Sequence, residues 1–324
     1  MLQRLQKKLL YSRVFRRVMH WAKEVQPPGF EGFSLYEISR FFFTALAQGN
    51  LLTRASAISF QVFLAFFPGI IVLLTLIPFV PIPDFQERLL DTIHDMLPLD
   101  VYLFIESTLH DLVLRRHTTL LSVSFVIGVF LASNSVNAIL LGFSGSTNLS
   151  RWHSAFKQRM ISLWVLLALS ILLMVVIPLF TLSGVAMRAL ESVGFFGSFL
   201  ELVVVFFVKW ALSILLVILG VALLYYAGDM RNKRFRIFTP GALLAVLLIL
   251  LVSEALGFVF SNITNYNALY GSIGAILAVQ IWIYINMIVL LIGYELNTSI
   301  GRAHRHHSER LELRRRVKDK GGSK

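Results

Sequence analysis

Residues 202–224 read LVVVFFVKWALSILLVILGVALL, an unbroken apolar run with a single charge, Lys209. At about 1.5 Å of rise per residue it is long enough to cross roughly 30 Å of hydrocarbon as a helix. Its apolar residues run all round and show no two-residue alternation, which favours a helix over a membrane barrel strand. Five more runs of this kind occur at 57–80, 119–141, 161–183, 237–260 and 273–294. The fold class read from them is all-α: a polytopic membrane helical bundle with six transmembrane helices.

Composition agrees with that reading. Of 324 residues 56% are hydrophobic and 15% charged, where a soluble globular domain carries about 25% charged residues. Disorder is excluded by the same hydrophobicity. The 30 Lys and Arg against 18 Asp and Glu leave a charge of +12, which in a soluble chain would suggest nucleic acid. Here the basic residues sort by side. Six spans put both termini on one face, and that face carries 25 Lys and Arg against four on the other. By the positive-inside rule the termini are expected to be cytoplasmic. The expected partners are the lipid bilayer and anionic phospholipids at the cytoplasmic face, with no nucleic acid.

The segments between the runs divide the chain into a cytoplasmic N-terminal amphipathic region (1–56), a transmembrane domain (57–295) and a basic cytoplasmic tail (296–324). In the first, Leu10, Val14, Val18, Trp21 and Val25 recur at helical spacing, and Leu35, Ile38, Phe42 and Leu46 follow after Pro27, Pro28 and Gly29. Both patterns read as short interfacial helices. Between the first two spans, 81–118 holds seven acids and two short amphipathic patterns broken near Pro98, expected as an external acidic cap. The tail is expected to be surface helix that frays. Pro68, Pro78 and Pro178 should kink or end their helices.

Ionisable groups within spans are functional candidates because hydrocarbon penalises them. Lys209 and Glu254 each lie roughly 9 to 10 Å below the outer boundary on consecutive helices. Opposite charges at one depth suggest a pair or a cavity lining; the alternative is a snorkelling lysine and a carboxyl satisfied in packing. Asn134 and Asn137, spaced i,i+3, with Gln61, Gln280 and Asn286, extend polarity toward the cytoplasm, as a transport track or as interhelical hydrogen bonding. Arg54 and Glu295, at the start of the first span and the end of the sixth, are placed to meet as an ion pair.

No phosphate loop, dinucleotide-binding glycine fingerprint or zinc-protease helix occurs, and cysteine is absent. Gly142-Phe143-Ser144-Gly145 lacks the second glycine spacing of a nucleophile elbow. His304, His306 and His307 sit in a solvated basic tail. No catalytic residue, metal site or cofactor is expected, and the chain reads as a non-enzyme.

Asn50 to Ala57 with Phe66-Phe67-Pro68, then Thr239-Pro240-Gly241-Ala242, then Tyr270-Gly271-Ser272-Ile273-Gly274-Ala275, then Gly293-Tyr294-Glu295-Leu296-Asn297 together resemble the YihY and BrkB family of bacterial inner-membrane proteins. The resemblance runs from about residue 35 to 300 with the motifs in order. It implies a helical bundle with cytoplasmic termini and importance for Arg54, Pro68, Pro240, Gly241, Tyr270, Gly271, Gly274 and Glu295. Members have carried a ribonuclease label, which the lack of clustered carboxylates argues against transferring. The resulting expectation is a transporter or translocator of a lipid or envelope component, its cavity lined by the second, fourth, fifth and sixth spans and its substrate amphipathic. The alternatives are a structural or partner-recruiting membrane protein and, disfavoured, a membrane-associated ribonuclease.

Overall fold

The computed structural model describes residues 13–27, 29, 32–48, 50–79, 85–96, 99–144, 155–193, 198–228, 235–262 and 272–321. Among them there is no strand. In chain order the helices are α1 (Arg13–Glu24), α2 (Leu35–Gln48), α3 (Leu51–Leu76), α4 (Phe85–Met96), α5 (Leu99–Leu114), α6 (Thr118–Ser144), α7 (Ala155–Val193), α8 (Ser198–Gly228), α9 (Pro240–Asn262) and α10 (Ser272–Gly321). Six of them, α3 and α6 to α10, are long and apolar enough to cross a membrane, as the hydropathy runs predict.

Local chemistry explains several boundaries. Ser34 and Glu37 open α2 with reciprocal bonds: the Glu37 N–H donates to the Ser34 hydroxyl and the Ser34 N–H to the Glu37 carboxylate, both at 3.3 Å, a capping box. Asn50 turns the chain into α3 at φ 44°, a left-handed conformation that Asn tolerates better than most side chains. Pro78 lies in the 3-10 turn Ile77–Phe79 that ends the first span. Pro68 and Pro178, by contrast, sit inside continuous helices.

At one end of the bundle all six spanning helices share a core. Ala55 and Ile58 of α3, Leu140 and Phe143 of α6, Val165 of α7, Val221 and Tyr225 of α8, Ala242 and Ala245 of α9, and Leu291 and Tyr294 of α10 are buried together. This is the end where the terminal segments lie, called here the basic end. Helix α2 packs on α10, burying Ile38 and Ala45, and α1 packs on α2 with Lys23 over the Tyr36 ring. Helices α1 and α2 are thus folded onto the bundle. The tail does not separate from it either: α10 is a single 50-residue helix, about 75 Å long where hydrocarbon is about 30 Å thick.

Toward the opposite end the helices behave differently. Helices α3 and α6 stay together, with Thr75 and Ser124 buried, and α5 rests on the end of α3. The acidic segment has its own small core of Leu90, Tyr102, Leu109 and Val113. Helices α8 to α10 are less enclosed there, although Ser213, Gly274 and Ile283 remain buried. Along α10, residues 289–291 and 293–295 are buried on every side, whereas Ile276, Leu277, Ile281 and Trp282, which point in four different directions at 100° per residue, are all exposed. Phe207, Val208, Trp210 and Leu212 of α8 show the same change.

Candidate functional site

The basic end holds a polar knot built where the start of α3 and the end of α6 meet the middle of α10. Glu295, 1% exposed, takes one guanidinium on each carboxylate oxygen: Arg54 at 2.9 Å and Arg302 at 3.2 Å. Arg54 also donates to the carbonyl of Gly142 at 2.7 Å, satisfying one of the acceptors that the last turn of α6 leaves open. One side chain therefore ties the start of α3 to the end of α6 and to α10. The two printed ion pairs set two guanidiniums on one carboxylate, and the Nε of Arg54 is buried without a hydrogen-bond partner.

Beside it α9 begins against α10. Thr239 caps α9, accepting from the Ala242 N–H at 3.2 Å, and Pro240 takes the first helical position, where no N–H is needed. Asn297 completes the start: its Oδ1 accepts from the Gly241 N–H at 2.8 Å and its Nδ2 donates to the Thr239 hydroxyl at 2.9 Å. This arrangement requires glycine on both helices. A Cβ on Gly241 would fall on the Gly293 carbonyl oxygen, and one on Gly293 would meet the Tyr225 hydroxyl and lie 2.5 Å from the Gly241 carbonyl oxygen.

Aromatic rings fill the space above. Phe143 stacks on Tyr294 with centroids 4.2 Å apart and meets Tyr225 edge-on at 5.5 Å. Both tyrosine hydroxyls are satisfied by backbone, Tyr225 donating to the Leu290 carbonyl at 2.8 Å and Tyr294 to the Gly228 carbonyl at 3.0 Å. This cluster is absent from the polar residues read out of the sequence. Tyrosines at the ends of two apolar runs, Tyr225 and Tyr294, are its signal, since a buried phenol needs an acceptor.

The remaining candidates are distributed over the bundle. Asn134 and Asn137 both turn to the first turns of α7: Asn137 accepts from Gln158 at 2.7 Å, and Asn134 from Arg159, whose guanidinium also covers the Phe130 ring. Replacing Asn137 by leucine should therefore destabilise the α6–α7 contact by about 0.6 to 1.7 kcal/mol, read as a modest loss of thermal stability in detergent. The Gln61 backbone carbonyl accepts from Ser135 at 2.7 Å. In α10, Asn286 is buried and donates to the Trp282 carbonyl at 2.7 Å, while its Oδ1 and the Gln280 Oε1 are buried without hydrogen-bond partners. Gly274 is buried, Pro68 lies beside Gly128, and Tyr270 and Gly271 lie outside the described residues.

Lys209 is on α8, and its side chain lies outside the described residues. Glu254 is exposed, and helical phase puts it on the side of α9 opposite Ala242, Ala245 and Val246, away from the core. The two charges were matched in depth by residue count, which says nothing about rotation. Among the described residues no group of three His, Cys, Asp or Glu is placed to hold a metal ion.

No solved structure matches the chain. The ribonuclease-like protein YfkH of Bacillus subtilis (strain 168) is 27% identical over 247 residues, 76% of this chain and 88% of that protein. UPF0761 membrane proteins of Xanthomonas campestris pv. campestris (strain B100) and Xanthomonas euvesicatoria pv. vesicatoria (strain 85-10) are each 33% identical over 93 residues, 29% of this chain. The chain covers 22% of the length of these Xanthomonas proteins. The virulence factor BrkB family matches residues 42–318, a stretch that contains all six spans and the whole polar knot, and the chain belongs to that family of membrane proteins.

Proposed function

We propose that the protein is a transporter of the bacterial inner membrane that moves an amphipathic or lipid component of the envelope, with its basic end cytoplasmic. The observation that carries this reading is the change in enclosure along α8, α9 and α10. These helices bury their side chains together at the basic end, whereas over the opposite half exposed side chains lie on several faces beside a few buried positions such as Ser213 and Ile283. A bundle closed at one face and open at the other is one half of an alternating-access cycle. The buried, unpartnered oxygens of Gln280 and Asn286 lie where α10 passes from one regime to the other, and such acceptors call for water or a ligand. The orientation rests on the 25 to four division of basic residues.

The absence of cysteine makes the test direct. Single-cysteine variants Leu277→Cys and Gln280→Cys should react with a charged, membrane-impermeant thiol reagent added from the side opposite the termini. Leu291→Cys, at a 1% exposed position of the sealed end, should not. Folded protein whose cysteines at 277 and 280 resist the reagent from both sides would have no aqueous route, and the transport reading would fall.

A second reading, a partner-recruiting membrane protein, draws on the helices α1 and α2 docked at the basic end and on the helical extension of α10 beyond Ala303. Deleting 1–25 and 303–324 separates the two readings. Loss of envelope function with the bundle intact supports recruitment, and retention supports transport.

A further inference from the structure

We propose that Glu254, with the open notch at Gly257, forms a lipid-facing site for the cationic nitrogen head of a membrane-dissolved amphiphile. The proposal deepens the transport reading and rests on it for the site's role, since it names the substrate class.

Glu254 lies 13 residues beyond Gly241 and eight before Asn262, about 20 Å and about 12 Å along α9 respectively. Both distances place it inside the hydrocarbon layer. Its carboxylate is exposed and has no hydrogen bond or ion pair with any described residue. Intramembrane carboxylates ordinarily turn inward and find a partner, as Glu295 does. One turn further, a Cβ on Gly257 would meet nothing within 4 Å, so there is room for a group beside the carboxylate. Leu247, Leu250 and Leu251 lead up to it from the basic end and Phe258 stands next to it, all exposed. The face thus offers one acceptor of cations at hydrocarbon depth, continued by an apolar track.

Charge and apolarity together select the occupant. An anionic head is repelled by the carboxylate, an uncharged hydroxyl head gains one hydrogen bond without the ionic attraction, and a soluble cation gains nothing from the leucines. A second copy docked by a two-fold axis along this face would set Glu254 against Glu254, a repulsive arrangement. An ammonium carried on an alkyl tail matches both features, with its tail along Leu247 to Leu251 and its nitrogen against the carboxylate.

The test is equilibrium binding of a fluorescent long-chain alkylammonium to the purified full chain in phosphatidylcholine nanodiscs, with the alcohol and the sulfate of the same chain length as controls. The ammonium is expected to bind at least about tenfold more tightly than the alcohol, the scale of one charge-assisted contact. Glu254→Gln should reduce that preference below about threefold, and Glu254→Asp should keep most of it. Equal binding of all three amphiphiles, or an ammonium preference untouched in Glu254→Gln, would overturn the site. So would efficient disulfide dimerisation of Glu254→Cys in native membranes, which would assign the face to a second copy. Because binding is read without transport, the site can fail while Leu277→Cys and Gln280→Cys remain reactive, and the reverse.

Discussion

Replacing Gly293 by alanine should push α9 away from α10 and destabilise the folded bundle by about 3 kcal/mol, the upper part of the range for overpacked cores. The added methyl would meet the Tyr225 hydroxyl, the Gly241 carbonyl oxygen at 2.5 Å and the Ala245 Cβ at 2.8 Å. Only the tyrosine can swing aside, and doing so breaks its bond to the Leu290 carbonyl. The other two obstacles belong to the α9 backbone and its first buried turns, so relief requires moving the helix. That movement would also pull the Gly241 N–H from Asn297. The expected result is a clear drop in the thermal transition of detergent-solubilised protein and a broadened size-exclusion peak. Gly257→Ala is the matched control, since open space surrounds that position; it should leave both measurements unchanged. A Gly293→Ala variant as stable as the parent would mean that α9 and α10 do not cross at these glycines.

Glu295→Gln should cost about 3 to 5 kcal/mol, the usual effect of breaking a buried ion pair by removing one charge. The amide keeps the shape but leaves two guanidiniums, Arg54 at 15% and Arg302 at 30% side-chain exposure, facing each other with no anion between them. Arg54 would still hold the Gly142 carbonyl, so its charge cannot simply withdraw to solvent without uncapping α6. Removing that charge as well, in Arg54→Gln with Glu295→Gln, should destabilise less than the sum of the single changes. Thermal stability of the three variants in the same detergent decides the matter. Strict additivity would show that the pair is not coupled. If the basic end also acts as the closed gate of a transport cycle, the single variants should make Leu291→Cys reactive.

The six spans were legible because each depends on its own composition: a helix of this length satisfies its backbone internally and needs no neighbour to be stable in hydrocarbon. The helix breaks near Pro98 and at Pro27 to Gly29 were legible for the same local reason. The meeting of Arg54 with Glu295 was legible from topology, since both stand at the same end of their spans. Lys209 and Glu254 share equal depth by residue count, and of the two side chains only that of Glu254 is described, as exposed. Rise per residue is local and can be counted, whereas rotation is set by what a helix packs against. Glu254 faces outward because Ala242, Ala245 and Val246 are the positions that α9 commits to the core.

An all-helical, six-span membrane protein, the count of basic residues in the segments between the spans, and which polar residues fall within the apolar runs all follow from local composition. Packing in three dimensions sets which of those residues are enclosed, brings two helices into close contact at Gly241 and Gly293, gathers Phe143, Tyr225 and Tyr294 into one cluster, and leaves much of α8 to α10 exposed at one end. The physical reason is that hydrocarbon solvates every apolar face equally well. The choice among faces falls to close packing, a few interhelical hydrogen bonds and one buried carboxylate, which act between residues far apart in the chain.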